Sequence, residues 1–568
     1  MICLSVIETF VLGSIAFFAS AISDTEKVLT SGYLSFLIEL TGLHISIDAK
    51  QLIIVLSILV VCMVTFKNLF QAVVNYWSIR FAALIEGIFG EKLLTGFLNM
   101  PYEWHLLQNS ADLILVSANW RMYIGRRFIF LFLQVIADIL LVCIMLITLL
   151  MVQPLISLFV ISILGTTSFI LFTSVRRKLD AVALKSRDYD QNINKQATKM
   201  IHGFKDVKIS GKQAIFMDQY RNDLYQLSKI QGTQQIIAGL PTWILESIGF
   251  FMISFSICFM LFVLDFSVAR VSGTITLLAV TAWRVLPALN RILSRITTIR
   301  NVIPYIEKIF NYHLEIESNN RENLITARQP TKHIEFQQMI SINNVSFSYK
   351  NTNRFALEKL NFTIKKGDIV GIIGRSGAGK STFVDIVTGL LSPSHGQILI
   401  DGTPLDNYHL RIAWMTKLGY VPQTPYIFDG TLAENIAFEI DEKNINKKKV
   451  LSCCQMAAME DFLKELPLGI DSYIGERGVR LSGGQRQRVS IARTLYQEPE
   501  LIIFDEATSA LDNENEKAIQ KTIYSLRGKQ TMIIVAHRLT TVESCDIIIE
   551  FEQGKIKRMG IPQEILTV

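Results

Sequence analysis

The chain has 568 residues, 50% of them hydrophobic, and a mean hydropathy of +0.34, more apolar material than a soluble enzyme usually carries. Its 56 Lys and Arg exceed its 50 Asp and Glu for a formal net charge of +6, an excess that the membrane charge bias described below explains better than nucleic-acid binding. The seven cysteines, at 3, 62, 143, 258, 453, 454 and 545, show no metal-ligand spacing and read as reduced packing residues.

A helix needs about 20 apolar residues to cross a bilayer core. Runs of that length occur near 2–22, 51–75, 127–151, 154–175, 243–264 and 267–289, which predicts six spans. The segment 176–238 holds twelve Lys/Arg against six Asp, whereas "LMVQPLIS" between the third and fourth runs holds no charge. Positive-inside bias therefore places 176–238 in the cytoplasm, the N-terminus and the C-terminal region on that same side, and 23–50 outside. A signal peptide fits the start less well, because "MICLSVIETF" has no basic region and no small-residue cleavage site follows. The expected organisation is a membrane domain over 1–315, a linker over 316–338 and a soluble α/β domain over 339–568, the composition changing near 335.

In the soluble part, "GIIGRSGAGKST" follows the strand-like "DIV" and precedes the amphipathic "FVDIVTGLL". Such a loop between strand and helix cradles phosphates. Gly374, Gly377 and Gly379 let backbone N–H groups converge, with Ser376 and Thr382 in the same loop, while Lys380 reaches phosphate oxygens and Ser381 can ligand Mg²⁺. Downstream, "LIIFDE" is a buried strand ending in two carboxylates. Asp505 is suited to the Mg²⁺ site and Glu506 to orienting or deprotonating the attacking water.

Between these motifs lies "LSGGQRQR", which resembles the signature of ATP-binding cassette (ABC) transporters. The resemblance implies a membrane α-helical ABC exporter domain of six transmembrane helices with long cytoplasmic extensions, followed by an α/β P-loop NTPase cassette. It implies that Ser482, Gly483, Gly484 and Gln485 meet the γ-phosphate of ATP held by a second cassette, so that one cassette cannot complete its own site. It also implies that Tyr349 in "VSFSYK" stacks on adenine and that Gln423 in "GYVPQTPYIF" touches Mg²⁺ and contacts the membrane domain. "SALD" at 509–512 resembles the D-loop, and His537 in "IIVAHRLT" matches the switch histidine on the γ-phosphate.

Six spans fused ahead of one cassette are the exporter layout. "YIGERGVR" is similar to the exporter loop whose glutamate, here Glu476, faces intracellular helices, which would be 77–126 and 176–238. The turns near "MPYEWHLLQNSAD" and "ISGKQAIFMDQ" would be coupling helices. With Glu506, His537 and the signature all present, the expected assembly is a homodimer with two hydrolytic sites, in a bacterial inner membrane.

Arg284, Arg291 and Arg295, spaced by seven and four, fall within roughly 40° of one another on a helix. An Arg near mid-bilayer costs about 2.5–3.5 kcal/mol on the lenient scales, so it should face a wet cavity, an acid or an anionic ligand. One reading pairs Arg284 with Glu246 or Glu8 and leaves Arg291 and Arg295 solvated; the other is a basic cavity for a phosphate-bearing lipid, to which Arg80 adds charge. "IETFVLGSIAFFASAISD", "PTWILESIGF" and "WRVLPALNRI" resemble membrane segments of PglK-type and Wzk flippases. That implies an ATP-driven flippase for a polyprenyl-pyrophosphate-linked oligosaccharide, a lipid-linked anionic glycan, with "SGYLSFLIELTG" as an external interfacial helix. An MsbA-like lipid or multidrug exporter is the alternative, and a peptide exporter the next. Members of the family usually begin with a cytoplasmic elbow helix, whereas this sequence enters its first apolar run within a few residues of Met1, so either the start is shortened or that element is absent.

Overall fold

The computed structural model describes residues 2–23, 49–152, 154–262, 268–327, 334–350, 352, 354–439, 441–475, 481–507, 517, 520–521, 523–528, 530–536 and 538–566. They form two compact units, Met1–Met100 with Gln108–Glu317 and Pro101–Leu107 with Ser318–Val568.

The first unit is helical. Its long elements are α1 (Ile2–Ser23) and α2 (Ala49–Leu98), and the chain then passes through α3 (Tyr102–Leu107), which belongs to the second unit. After α4 (Ser110–Ile114) come two π-helical stretches, Leu115–Trp120 and Tyr123–Ile129, and then α5 (Phe130–Val152) and α6 (Pro154–His202). The short α7 (Phe204–Ile209) precedes α8 (Gln213–Phe262) and α9 (Val268–Ala327). The described residues of all six apolar runs are helical, residues 127–129 lying in the second π-helical stretch. At 1.5 Å per residue the 50 residues of α2 reach about 75 Å, more than twice a bilayer core, so most of these helices extend well past their apolar segments.

Among the described residues, Ile53–Leu98, Tyr123–Met151 and Gln213–Phe259 are long and apolar enough to cross a membrane; Val6–Ile15 and Ser157–Leu171 are shorter apolar helical segments. Val55, Ile58, Leu59, Val61 and Phe66 of α2 are exposed, an arrangement that suits a lipid solvent. The interior that does form joins Leu141, Val142 and Met145 of α5 with Leu164 of α6, Leu245 and Met252 of α8, and Val285 and Ala288 of α9. The cysteines are unpaired, but only Cys453, Cys454 and Cys545 are buried. Cys3, Cys62, Cys143 and Cys258 are exposed on the apolar helices, which corrects the expectation that all seven are packing residues.

Polar links tie the helix extensions together. The buried Asp112 carboxylate accepts a hydrogen bond from Gln191 Nε2 at 2.6 Å and faces Lys195 at 3.4 Å and Lys308 at 3.7 Å. Trp120 Nε1 donates to Asp190 at 3.2 Å, and Tyr305 packs edge-on against the same indole. Burial raises the Asp190 pKa, and the indole N–H opposes that shift. α7 ends at Ile209, the first residue of "ISGKQAIFMDQ", near which a coupling helix was expected, and the turn after it lies within that stretch. The proposed external helix in 23–50 lies outside the described residues.

The second unit holds two sheets. One is antiparallel, in the order β2 (Leu357–Lys365), β1 (Met339–Phe347), β4 (His395–Ile400), β5 (Thr403–Pro404). The other runs β10 (Lys555–Gly560), β9 (Ile547–Glu552), β3 (Ile369–Gly374), β8 (Thr531–Val535), β7 (Leu501–Asp505), β6 (Leu418–Val421). In it β9, β3, β8, β7 and β6 are parallel. β8 is buried at every position and β3 at all but its last, as a sheet covered on both faces requires. Ligands of such sheets bind at the carboxyl ends of the strands, where β3 runs into Gly374 and β7 into Asp505.

The π segment 123–129 places Gly125 where a Cβ would collide with the Ala82 carbonyl and lie 2.9 Å from Glu86 Cβ. Arg126 Nε meets Glu86 Oε2 there at 3.0 Å. Gly125→Val should lower the stability of the detergent-solubilised protein by about 1–3 kcal/mol, visible as an earlier thermal transition, whereas Gly165→Ala, with open space around it, should leave the transition in place.

Candidate nucleotide site and membrane ion clusters

The turn after β3 owes its shape to its glycines. Gly379 has φ +104°, and a Cβ there would lie 2.8 Å from the Ala356 carbonyl oxygen, so a side chain is excluded both by conformation and by space. The helix α10 (Lys380–Val387) starts on this glycine. Its N-terminal amides have no side-chain cap and are available to an anion. Lys380 Nζ donates to Gly374 O at 2.9 Å and to Arg375 O at 3.3 Å. Burial lowers its pKa, and the Glu506 and Asp505 carboxylates work against that shift. A cleft of about 400 Å³ is lined by Tyr349, Ser376, Gly377, Gly379, Lys380, Ser381, Thr382 and Glu506, together with Thr352, Arg354, Phe355, Ala356, Gln553 and Gly554. Tyr349 Oη lies 3.1 Å from Thr382 Oγ1, which fixes the ring beside the phosphate loop.

Glu506 follows β7 with φ +51°, in the left-handed region that a side-chain-bearing residue enters at some cost and that concentrates at functional sites. Its N–H donates to Val535 O at 3.0 Å, and its Oε2 accepts from Gln423 Nε2 at 2.7 Å. Asp505 Oδ2 accepts from Tyr420 Oη at 3.0 Å. A hydroxyl at Ser381, the Gln423 side-chain oxygen and the Asp505 carboxylate are hard oxygen donors of the kind Mg²⁺ takes. Among the described residues no group of three or more His, Cys, Asp or Glu is placed to hold a metal ion.

The signature opens α15 (Gly483–Tyr496; α11 to α14 being Tyr408–Met415, Leu432–Ala437, Lys447–Met456 and Glu460–Glu465). Ser482 caps it: Gln485 N donates to Ser482 Oγ at 3.2 Å and Ser482 N to Gln485 Oε1 at 2.8 Å, a reciprocal capping box. Gly483 and Gly484 form the first helical positions. None of the four lines the phosphate-loop cleft. Glu476, the 509–512 stretch and His537 lie outside the described residues.

Residues missed by sequence reasoning include Tyr420, Arg354 and Asp385. Tyr420 stands three residues before Gln423, but only the parallel register of β6 on β7, with Val421 opposite Phe504, brings its hydroxyl to Asp505. Arg354 and Phe355 line the cleft from the β1–β2 connection, where nothing in the pattern marks them. Asp385 is half-buried on α10 facing Asp505, and burial followed by that neighbouring charge pushes its pKa up to about 6.

In the helical unit, Arg284 Nη1 donates to Glu8 Oε1 at 3.1 Å, and Lys67 Nζ lies 3.6 Å from the same oxygen. Of the two acids open to Arg284, the structure uses Glu8; Glu246 is exposed. Arg291 and Arg295 are not simply solvated. Both bind Asp138 of α5, Arg291 through Nη2 at 3.0 Å and Arg295 through Nη1. Arg80 stands apart from both clusters, exposed, with Nη1 3.0 Å from Tyr76 Oη.

Residues 357–509 match the family model described as ABC transporter. The ATP-dependent lipid A-core flippase of Shewanella frigidimarina is 30% identical over 416 residues, 72% of this chain and 66% of that protein. Its namesake in Sodalis glossinidius is 32% identical over 382 residues, 66% of this chain and 63% of that one. The matched stretch thus spans less than two thirds of these relatives. A solved bacterial Atm1-family ABC exporter with ATP bound is 21% identical with a TM-score of 0.77, covering 100% of this chain and 95% of the other.

The Asp385 shift has a sign that can be tested. A carboxyl raised from 3.8 to about 6 adds stability below its unfolded value, and that stability is lost as pH rises through about 6. Asp385→Asn should therefore raise the melting transition of the cassette at pH 7.5, with the gain shrinking as pH falls below 6; a pH-independent gain would assign the effect to packing.

Proposed function

From the premise that this chain has the ABC exporter fold, a helical membrane region followed by an ABC P-loop cassette, we propose that it is one half of a homodimeric, ATP-driven lipid flippase of a bacterial inner membrane. Its cargo is an amphipathic lipid with an anionic head group, of the class named in the lipid A-core flippases it resembles. Those relatives support the MsbA-like alternative better than the polyprenyl-pyrophosphate oligosaccharide reading drawn from PglK-type and Wzk flippases. The observation that carries the proposal is the complete cassette equipment behind membrane helices in a single chain.

In this reading Lys380 and the amides of 374–381 bind the ATP phosphates. Ser381, Gln423 and Asp505 hold Mg²⁺, which when bound offsets phosphate charge. Glu506 takes the proton of the attacking water, with His537 as its expected partner at the γ-phosphate. Tyr349 faces the base. Ser482, Gly483, Gly484 and Gln485 of the second copy close over the phosphates, a role supported by their absence from the lining of the cleft in their own chain. Arg284 and Lys67 on Glu8, and Arg291 and Arg295 on Asp138, are guanidinium and ammonium groups that an anionic head group could compete for; Arg80 adds a further cation.

The test is reconstitution into liposomes holding fluorescent lipid A or, in a parallel set, a fluorescent polyprenyl-pyrophosphate oligosaccharide. ATP-dependent flipping of lipid A is expected in the wild type, none in Glu506→Gln, and at least a tenfold loss in Arg284→Ala, scaled to removing a charge-assisted contact of about 1.5–3 kcal/mol. Flipping of the glycan lipid alone would restore the first reading of the cargo. ATP hydrolysis without flipping of either would sink the lipid assignment.

A further inference from the structure

Two polar side chains are buried along α15 among Val489, Ile491, Ala492 and Leu495: Gln487, exposed by 3%, and Thr494, exposed by 4%. Seven residues apart, they fall on one side of the helix. A polar group so placed needs a partner. Thr494 Oγ1 finds one inside the helix, the Ser490 carbonyl at 2.9 Å. Gln487 reaches out of it, its Nε2 donating to Pro422 O at 3.1 Å. Pro422 follows β6, and from there to residue 430 the chain runs without helix or strand. Because proline has no N–H, its carbonyl is the one backbone group by which this residue can be held through a hydrogen bond. Four residues on, α15 takes hold again. Arg493 Nη1 donates to Tyr426 O at 2.8 Å, and its Nε and Nη2 donate to Asn435 O at 2.7 Å and Asn435 Oδ1 at 3.2 Å.

Gln423 lies between these two anchors, next to the first. Its side chain is exposed, so many rotamers are open to it, yet its amide meets Glu506 Oε2 at 2.7 Å. Where that amide can reach depends on where its backbone starts. Glu506 is fixed at its own backbone, with φ +51° and its N–H on Val535 O at 3.0 Å, and so cannot follow a displaced Gln423. We propose that Gln487 is a positioning residue for Gln423, and through it for the Glu506 carboxylate, acting by its hold on the Pro422 carbonyl. This rests on the ATP-hydrolysing reading above and deepens it. The helix whose first turn carries the signature also places the side chain that orients the general base of its own chain.

Steady-state ATP hydrolysis by the full-length protein in nanodiscs, with kcat and KM read separately, tests the role. Gln487→Met keeps the length of the side chain and removes its donor. Its kcat should fall about tenfold, the scale of one hydrogen bond lost with its carbonyl left unpaired, while KM stays within about twofold because the phosphate loop and Tyr349 are untouched. Gln423→Ala should lower kcat at least as much. Gln487→Met added to Gln423→Ala should lower kcat no further, since both act through one amide. Thr494→Val removes a buried hydroxyl from the same side of α15, 3.4 Å from Tyr420 O, and should retain the wild-type kcat. If Gln487→Met also melts earlier, the double variant still decides, because a loss of folded enzyme multiplies through both backgrounds. A wild-type kcat in Gln487→Met, or a double variant reduced by the product of the two single losses, would overturn the inference and leave Gln487 a stabilising contact. A wild type that hydrolyses no ATP would overturn the ATP reading itself, and this inference with it.

Discussion

Lys380 sits buried with its ammonium on the carbonyls of Gly374 and Arg375, and that charge governs the layout of the cassette. A buried cation is tolerable only when counter-charges or dipoles face it. The carbonyls supply dipoles, and Glu506 and Asp505 supply charge that opposes the desolvation. Bringing those carboxylates within reach requires β7 and β3 to end on the same edge, which the order β3-β8-β7 provides. It also requires Glu506 to take a left-handed backbone at φ +51°. The glycines of the loop follow from the same demand, because the chain must turn tightly enough to aim both its amides and its lysine at one point.

The membrane region meets a related constraint with different means. Ionic groups among apolar helices are costly alone, and two of the buried acids here are each shared between two cations: Glu8 by Lys67 and Arg284, Asp138 by Arg291 and Arg295. The first set joins α1, α2 and α9, and the second joins α5 and α9. Because helices in lipid gain little from hydrophobic association, such polar contacts and close packing decide which faces meet. An acid shared in this way can also give up one cation without being left bare, a useful property where helices must rearrange.

The cassette was largely legible from its sequence, because phosphate binding needs glycines, a lysine and carboxylates at short fixed spacings along the chain. What depended on long-range register was not. Tyr420 reaches Asp505 across neighbouring strands, and Asp138 lies more than 150 residues from the arginines it binds, so neither pairing leaves a local pattern. The arginine stripe was visible as a periodicity, but periodicity alone left open whether Glu8, Glu246, solvent or a ligand faced it. The π-helical stretches before α5 were invisible for a similar reason. Their sequence reads as ordinary helix, and the extra residue per turn is accommodated by packing of Gly125 under α2.

The signature shows how a site can be finished in advance and still be incomplete. Ser482 and Gln485 satisfy each other's backbone groups, so the start of α15 is fixed by its own side chains. Such preorganisation lowers the ordering cost of a later contact. The same capping occupies the Ser482 hydroxyl, the Gln485 carbonyl oxygen and the Gln485 N–H, so what the helix end offers an anion is chiefly its dipole. In the proposed dimer the second copy would therefore offer its partner a helix end already shaped for phosphate. The attraction would be set by backbone dipoles, leaving the side chains to hold the shape.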